Sequence, residues 1–192
     1  MVRVIAIVVV LASVADANPV RIAEQVEDPP EQSLLGFRIG LGKLPVDGSP
    51  HIAMSLGLGV EHRVFGRWRV FGEYEWLWLE RSVPKAIEMA PEPHGDGQRL
   101  QLGVRHVLVD KRLSDIRLFI DGEAGGGLAL VSDSAAGVRV MPDGFAGLRF
   151  GYDLYTPRDT SSSNTFEAEF LLRAIAIAGG AGAMFGIGMG WN

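Results

Sequence analysis

In the last strand-length segment of the chain, Ala183, Phe185, Ile187, Met189 and Trp191 alternate with Gly182, Met184, Gly186, Gly188 and Gly190. A period of two sends these sets to opposite faces of a β-strand. Seven earlier segments show the same two-faced pattern, with arginine, acid or glycine opposite the apolar side chains. A soluble barrel hides its hydrocarbon inside and shows charge to water. Here too many arginines and carboxylates share one face for that face to be a dry core, and the other face is continuous hydrocarbon. A membrane-spanning barrel needs that inversion, with lipid outside and polar groups within.

The eight segments lie at about 34–42, 51–63, 67–80, 98–109, 115–130, 144–154 and 164–177, followed by the glycine-faced one. Their ten prolines' worth of punctuation agrees: by this reading every proline, Pro45, Pro50 and Pro142 included, falls between strands or before the first, where no ladder donor is needed. Residues 166–178 alone could also be read as a helix, but the alternation of their neighbours favours a strand. The expected fold class is all-β, an eight-stranded antiparallel up-and-down transmembrane β-barrel with a polar, side-chain-filled interior. Strands of roughly 9–11 residues suffice to span a bilayer, so the length accommodates one such domain over 34–192.

The N-terminus has the layout of an export signal over 1–17. Arg3 is followed by an apolar run from Ile5 to Val14, and Ala15-Asp16-Ala17 supplies small residues for cleavage before Asn18. The alternative, a retained membrane helix, needs roughly 20 apolar residues and the run is shorter. Residues 18–33 are acidic, hold Pro29-Pro30, show no period, and are expected to be a mobile periplasmic lead-in. The chain has no cysteine, so disulfides and thiol chemistry are excluded. A net charge of -5 without a basic cluster gives nucleic acid nothing to bind.

The inward face is expected to carry a charge network of Arg38, Glu61, Arg69, Glu73, Glu75, Arg105, Arg117, Asp121, Glu123, Arg149, Glu167, Glu169 and Arg173, with Arg63, Arg99 and Asp153 beside them. The two signs balance in this set. Side chains fill an eight-stranded interior, and guanidinium groups can reach across it to bind carboxylates through paired donors. Inward glycines, above all those of the last strand, leave them room. A structural plug of ion pairs is one reading; a charge-lined conduit or proton path is the other.

With the N-terminus in the periplasm and an even strand number, 43–50, 82–97 and 131–143 become external loops, and 64–66 and 110–114 become periplasmic turns. The long segment 155–163 and the short link 178–181 run against that length rule. Trp68, Tyr152 and Trp191 then sit at the periplasmic interface, and Trp76 and Trp78 at the opposite one. Amphipathic rings favour the headgroup level, although single aromatics also pack cores.

Signal, eight alternating strands and a C-terminal aromatic together resemble the small outer-membrane barrels of the OmpA/OmpX type, over 34–192. The resemblance implies residence in the outer membrane of a Gram-negative bacterium, contact with outer-membrane lipid and lipopolysaccharide, and recognition of the C-terminal aromatic by the insertion machinery. Trp191 is penultimate, before Asn192. Some barrels of this size are lipid A deacylases or acyltransferases, which need a serine–histidine or histidine–acid arrangement near one membrane face. His51, His62, His94 and His106 offer only His94-Gly95-Asp96 as a close pairing, and no cluster has metal-ligand spacing. The expected protein is therefore a non-enzymatic barrel without a cofactor, structural or adhesive through a surface ligand at its external loops. A lipid A-modifying enzyme on this scaffold and a soluble periplasmic ligand-carrying barrel are the alternatives.

Overall fold

The computed structural model describes residues 33–46, 49–81, 94–113, 116–133, 137–156 and 164–191. The expected export signal and all but the last residue of the lead-in lie outside these. Eight strands form: β1 (Ser33–Val46), β2 (Ser49–Phe65), β3 (Trp68–Arg81), β4 (His94–Leu113), β5 (Ile116–Asp133), β6 (Gly137–Thr156), β7 (Asn164–Ile177) and β8 (Gly180–Trp191). Each pairs antiparallel with the next, and β8 returns to β1 from Leu35↔Trp191 to Lys43↔Ala183, closing the barrel. Closure leaves no unpaired sheet edge, which is what a hydrocarbon environment demands of β-structure. Residues 166–177, for which a helix was the competing reading, lie in β7.

Alternation sorts the two faces as the sequence implies. Leu35, Ile39 and Leu41 of β1, Leu100, Leu102 and Val104 of β4, and Phe185, Ile187 and Met189 of β8 all point outward and are exposed. Arg38, Glu73, Arg105 and Glu169 point inward and are buried. Lipid is the solvent such a wall fits.

Several strands run further than the alternation indicates. β1 and β2 stay paired to Val46↔Ser49, β3 and β4 to Glu80↔His94, and β5 and β6 to Asp133↔Gly137. The loops expected over 43–50, 82–97 and 131–143 are therefore partly ladder, and the turn expected over 110–114 is largely strand, with Leu113 facing Ile116. β4 and β6, at 20 residues each, are about twice the 9–11 residues that cross a bilayer. That side of the barrel stands taller than β1, β7 and β8.

The proline expectation is corrected by the same ladders. Pro45, Pro50 and Pro142 lie inside strands, and each sits where one neighbouring ladder has stopped. Pro45 faces Pro50, but the β1–β8 ladder ends at Lys43 and the β2–β3 ladder at His51. Pro142 directs its carbonyl toward β7, accepting from the Ala178 N–H at 3.2 Å beyond the last pair Asp143↔Ile177. A missing N–H costs nothing on a side that has no partner strand.

The interior has two tiers. Call the end that holds Ser33 and Trp191 the near end. Moving from it along a strand, charged inward residues come first and apolar ones after: Glu73 and Glu75 then Leu77 and Leu79 on β3, Asp121 and Glu123 then Ala129 and Val131 on β5, Arg173 then Ile175 and Ile177 on β7. Leu44, Val46, Ala53 and Met141 join them in one buried cluster. The far end of the lumen is thus packed with hydrocarbon, a layer the alternation did not announce.

Candidate functional site

The near tier contains a ring of alternating charge. Arg38 bonds Glu73 at 2.5 Å, and Glu73 bonds Arg173 at 2.7 Å. Arg173 pairs with Glu123, which accepts from Arg105 at 2.9 Å. Arg105 pairs with Glu61, which lies 3.4 Å from Arg149. Arg149 reaches Glu169 at 2.7 Å, and Glu169 pairs with Arg38 to close the circuit. Four guanidinium groups and four carboxylates from seven strands meet around the axis.

Side branches extend it. Arg149 also holds Asp121 at 2.5 Å and Glu167 at 2.7 Å, and Arg69 donates to Glu61 at 2.6 Å. Above the ring, Arg99 bridges Glu75 at 2.6 Å and Asp143 at 2.8 Å. Gln101 ties the two assemblies, accepting from Arg173 at 3.2 Å and donating to Asp143 at 2.6 Å. Ser55 donates to Glu75 at 3.4 Å. Arg117 is set apart near the mouth, between Asp110 at 2.9 Å and Asp153 at 3.0 Å.

All thirteen residues expected in the inward network lie inside the barrel, and all but Arg117 are buried. Arg63 lies half-buried at the near end of the same face, opposite Arg69. It donates through Nε to the Gly66 carbonyl in the β2–β3 turn at 3.0 Å, where Gly66 has the positive φ of 51° that turn requires. Asp143 is a participant the sequence reading missed, and the inward Gln101 joins as an uncharged partner. Continuing the β6 alternation past Pro142 would have placed Asp143 inward. Among the described residues the fully buried carboxylates, Asp143 included, outnumber the fully buried guanidinium groups.

Aromatic rings and glycines shape the space. Arg105 lies 4.0 Å from the Phe71 ring centre, Arg173 4.5 Å from that of Phe145, and Arg149 4.7 Å from that of Phe119. Each ring leans over a glycine on the neighbouring strand: Phe71 over Gly103, Phe145 over Gly125, Phe119 over Gly151. On β8, a Cβ at Gly188 would lie 2.6 Å from Glu169 Oε1. What space remains in the ring is about 40 Å³, far below the roughly 300–1,000 Å³ of ligand pockets. Among the described residues charge and hydrocarbon therefore occupy the lumen in series, and the space within the ring is too small for a carried ligand.

Trp68, Tyr152 and Trp191 project outward at the near end, and Trp76 and Trp78 outward toward the far end. Trp68 packs on His106 at 4.5 Å between ring centres, and Tyr74 meets Trp76 edge-on at 4.6 Å. The histidines are dispersed. His51 lies on β2 and His94 opens β4. His62 bonds Ser33 at 3.1 Å through Nδ1 on the outer wall, a pairing visible only once Ser33 is registered against His62. Among the described residues His62 has no carboxylate partner to orient it, which a serine nucleophile's base needs. Among the described residues no group of three His, Asp or Glu side chains is placed to hold a metal.

No protein-family model matches the chain, and no curated protein matches its sequence. Its backbone is similar to that of Neisserial surface protein A, with a TM-score of 0.53 and 9% identity over 84% of this chain and 98% of that one. The chain has the fold of the small eight-stranded outer-membrane barrels. The N-terminal barrel domain of Pseudomonas aeruginosa OprF gives a TM-score of 0.46 at 13% identity, covering 84% and 98%. Ail of Yersinia pestis, solved with the heparin analogue sucrose octasulfate, gives 0.41 at 13% identity, covering 84% and 97%.

Proposed function

We propose that this protein is an integral outer-membrane barrel with a sealed lumen, which acts through its external surface in a structural or adhesion-like role. The observation that carries this reading is the doubly filled interior. A closed ring of ion pairs is followed by an apolar layer, and neither leaves a path for solutes. Hydrated ions crossing the far tier would have to shed water among Leu77, Leu79, Ile175 and Ile177. The charges serve as a rigid plug, not a conduit.

In this reading the near end faces the periplasm, residues 1–17 are removed on export, and Trp191 is presented to the insertion machinery. The tall β4–β6 side faces the cell exterior, where an unknown surface ligand would be met. The outer wall contacts outer-membrane lipid and lipopolysaccharide.

Surface display tests this. A protease site inserted within 82–93 is expected to be cleaved on intact cells, and a non-adherent host displaying the protein should gain adherence that shaving removes. Cleavage only after outer-membrane permeabilisation would overturn the orientation. Ohmic current from the purified protein in a planar bilayer would overturn the sealed lumen.

A further inference from the structure

We propose that a groove on the outer wall of β3, β4 and β5 binds the neutral sugar headgroup of a glycolipid lying in the same leaflet. This rests on the membrane placement, not on the adhesive role. Trp76, Gln98 and Leu130 are paired across three strands, and Trp78, Asp96 and Ser132 form the next outward row toward the far end. These six side chains line a recess of about 400 Å³, within the range of roughly 300–1,000 Å³ that ligand sites occupy.

The lining has the chemistry of saccharide recognition. Two indole faces can pack against the C–H faces of a sugar ring, and their N–H groups remain able to donate. Asp96, Gln98 and Ser132 supply a carboxylate acceptor, an amide with both capacities, and a hydroxyl. None of the three makes a hydrogen bond or ion pair with another described residue, so their bonding capacity is unspent. A carboxylate beside exposed hydrocarbon is costly unless it sits at the headgroup level or finds a partner. The adjoining tryptophans mark that level.

Charge selects among headgroups. Among the described residues no lysine or arginine lines the recess, so none of them offsets the repulsion a phosphate would meet at Asp96. Hydroxyl groups, by contrast, donate to a carboxylate in charge-assisted bonds. Position selects a lipid-linked sugar over a free one. The next outward residues toward the membrane centre are Tyr74, Leu100 and Leu128, with Leu102 beyond them. A headgroup in the recess therefore places its own acyl chains along that apolar wall.

The test uses the mature barrel carrying Trp68→Phe and Trp191→Phe, so that tryptophan fluorescence reports only Trp76 and Trp78. Heat-modifiable gel migration verifies the fold of each variant. The barrel is reconstituted in phosphatidylcholine nanodiscs with increasing fractions of monoglucosyl diacylglycerol, or of phosphatidylglycerol. A saturable fluorescence change with the glucolipid alone is expected. Its midpoint should rise about tenfold or more in Asp96→Ala, as when a charge-assisted hydrogen bond is lost. Leu35→Ala, on the wall at the near end, should leave it unchanged. An equal response to phosphatidylglycerol, an equal response to free methyl glucoside, or no saturable response in folded protein would each overturn the proposal.

Discussion

Arg173 on β7 donates through Nη2 to Glu73 on β3 at 2.7 Å, joining strands that are not neighbours in the barrel wall. Wall hydrogen bonds tie each strand only to the next. The contact across the axis is therefore what fixes the separation of opposite walls, and its Nε arm on Glu123 fixes a third strand.

Removing that arginine leaves two buried carboxylates without their main counter-charge. Arg173→Ala is expected to destabilise the barrel by about 3–5 kcal/mol, the usual result of breaking a buried pair from one side. Arg67→Ala, in the exposed β2–β3 turn, should change stability by no more than about 0.5 kcal/mol. Urea titrations in detergent, read by heat-modifiable gel migration, give both values. Equal midpoints for the two variants would refute a structural role for the ring.

Gly188 gives a second, independent probe of the same ring. The three nearest atoms a Cβ would meet there belong to the Glu169 side chain, at 2.6, 2.9 and 3.1 Å. That side chain is pinned by Arg38 and Arg149 and cannot swing away freely. Gly188→Ala should therefore cost about 1–3 kcal/mol, as overpacking does in other cores. Shortening the neighbour in Gly188→Ala/Glu169→Asp should recover part of that cost, giving a non-additive double-mutant cycle. Strict additivity would mean that the two positions do not touch.

The sealed lumen makes a prediction about transport. The purified protein in planar bilayers is expected to carry no steady ion current. Leu79→Ser, which weakens the apolar tier alone, is expected to stay silent because the ionic ring still fills the lumen below it. Open-channel steps in Leu79→Ser but not in the parent would show the apolar tier to be the sole barrier.

Much of this architecture is legible in the residues. A period of two is a direct consequence of strand geometry, so Arg38, Glu73 and Arg173 could be assigned to the inner face from spacing alone. Which charges meet was not legible, because partners such as Arg173 and Glu73 lie 100 positions apart and depend on register and barrel stagger. Strand ends were misplaced for a different reason. Pro142 looked like a stop signal, yet a proline is tolerated where the strand on its N–H side has ended, a condition that only tertiary pairing defines. That misplacement also hid Asp143. The apolar tier was overlooked because an inward leucine such as Leu77 follows the alternation of its strand without announcing that its neighbours across the lumen are apolar too.

The outer wall supplies the sharpest test of sidedness. Leu102 lies midway along β4 between the tryptophan levels, and Val138 near the far end of β6; each is 69% exposed. A soluble protein would accept arginine at both positions almost equally, since both side chains are open to solvent. In a bilayer the two differ. Leu102→Arg would carry a charge to the hydrocarbon midplane, at about 2–4 kcal/mol, whereas Val138→Arg at the interface would cost about 0–1 kcal/mol. Folding into lipid vesicles from urea measures the difference, and repeating the pair in a detergent micelle, which deforms around a charge more readily, should shrink it. Equal costs in vesicles would place both residues in water and remove the membrane from the reading.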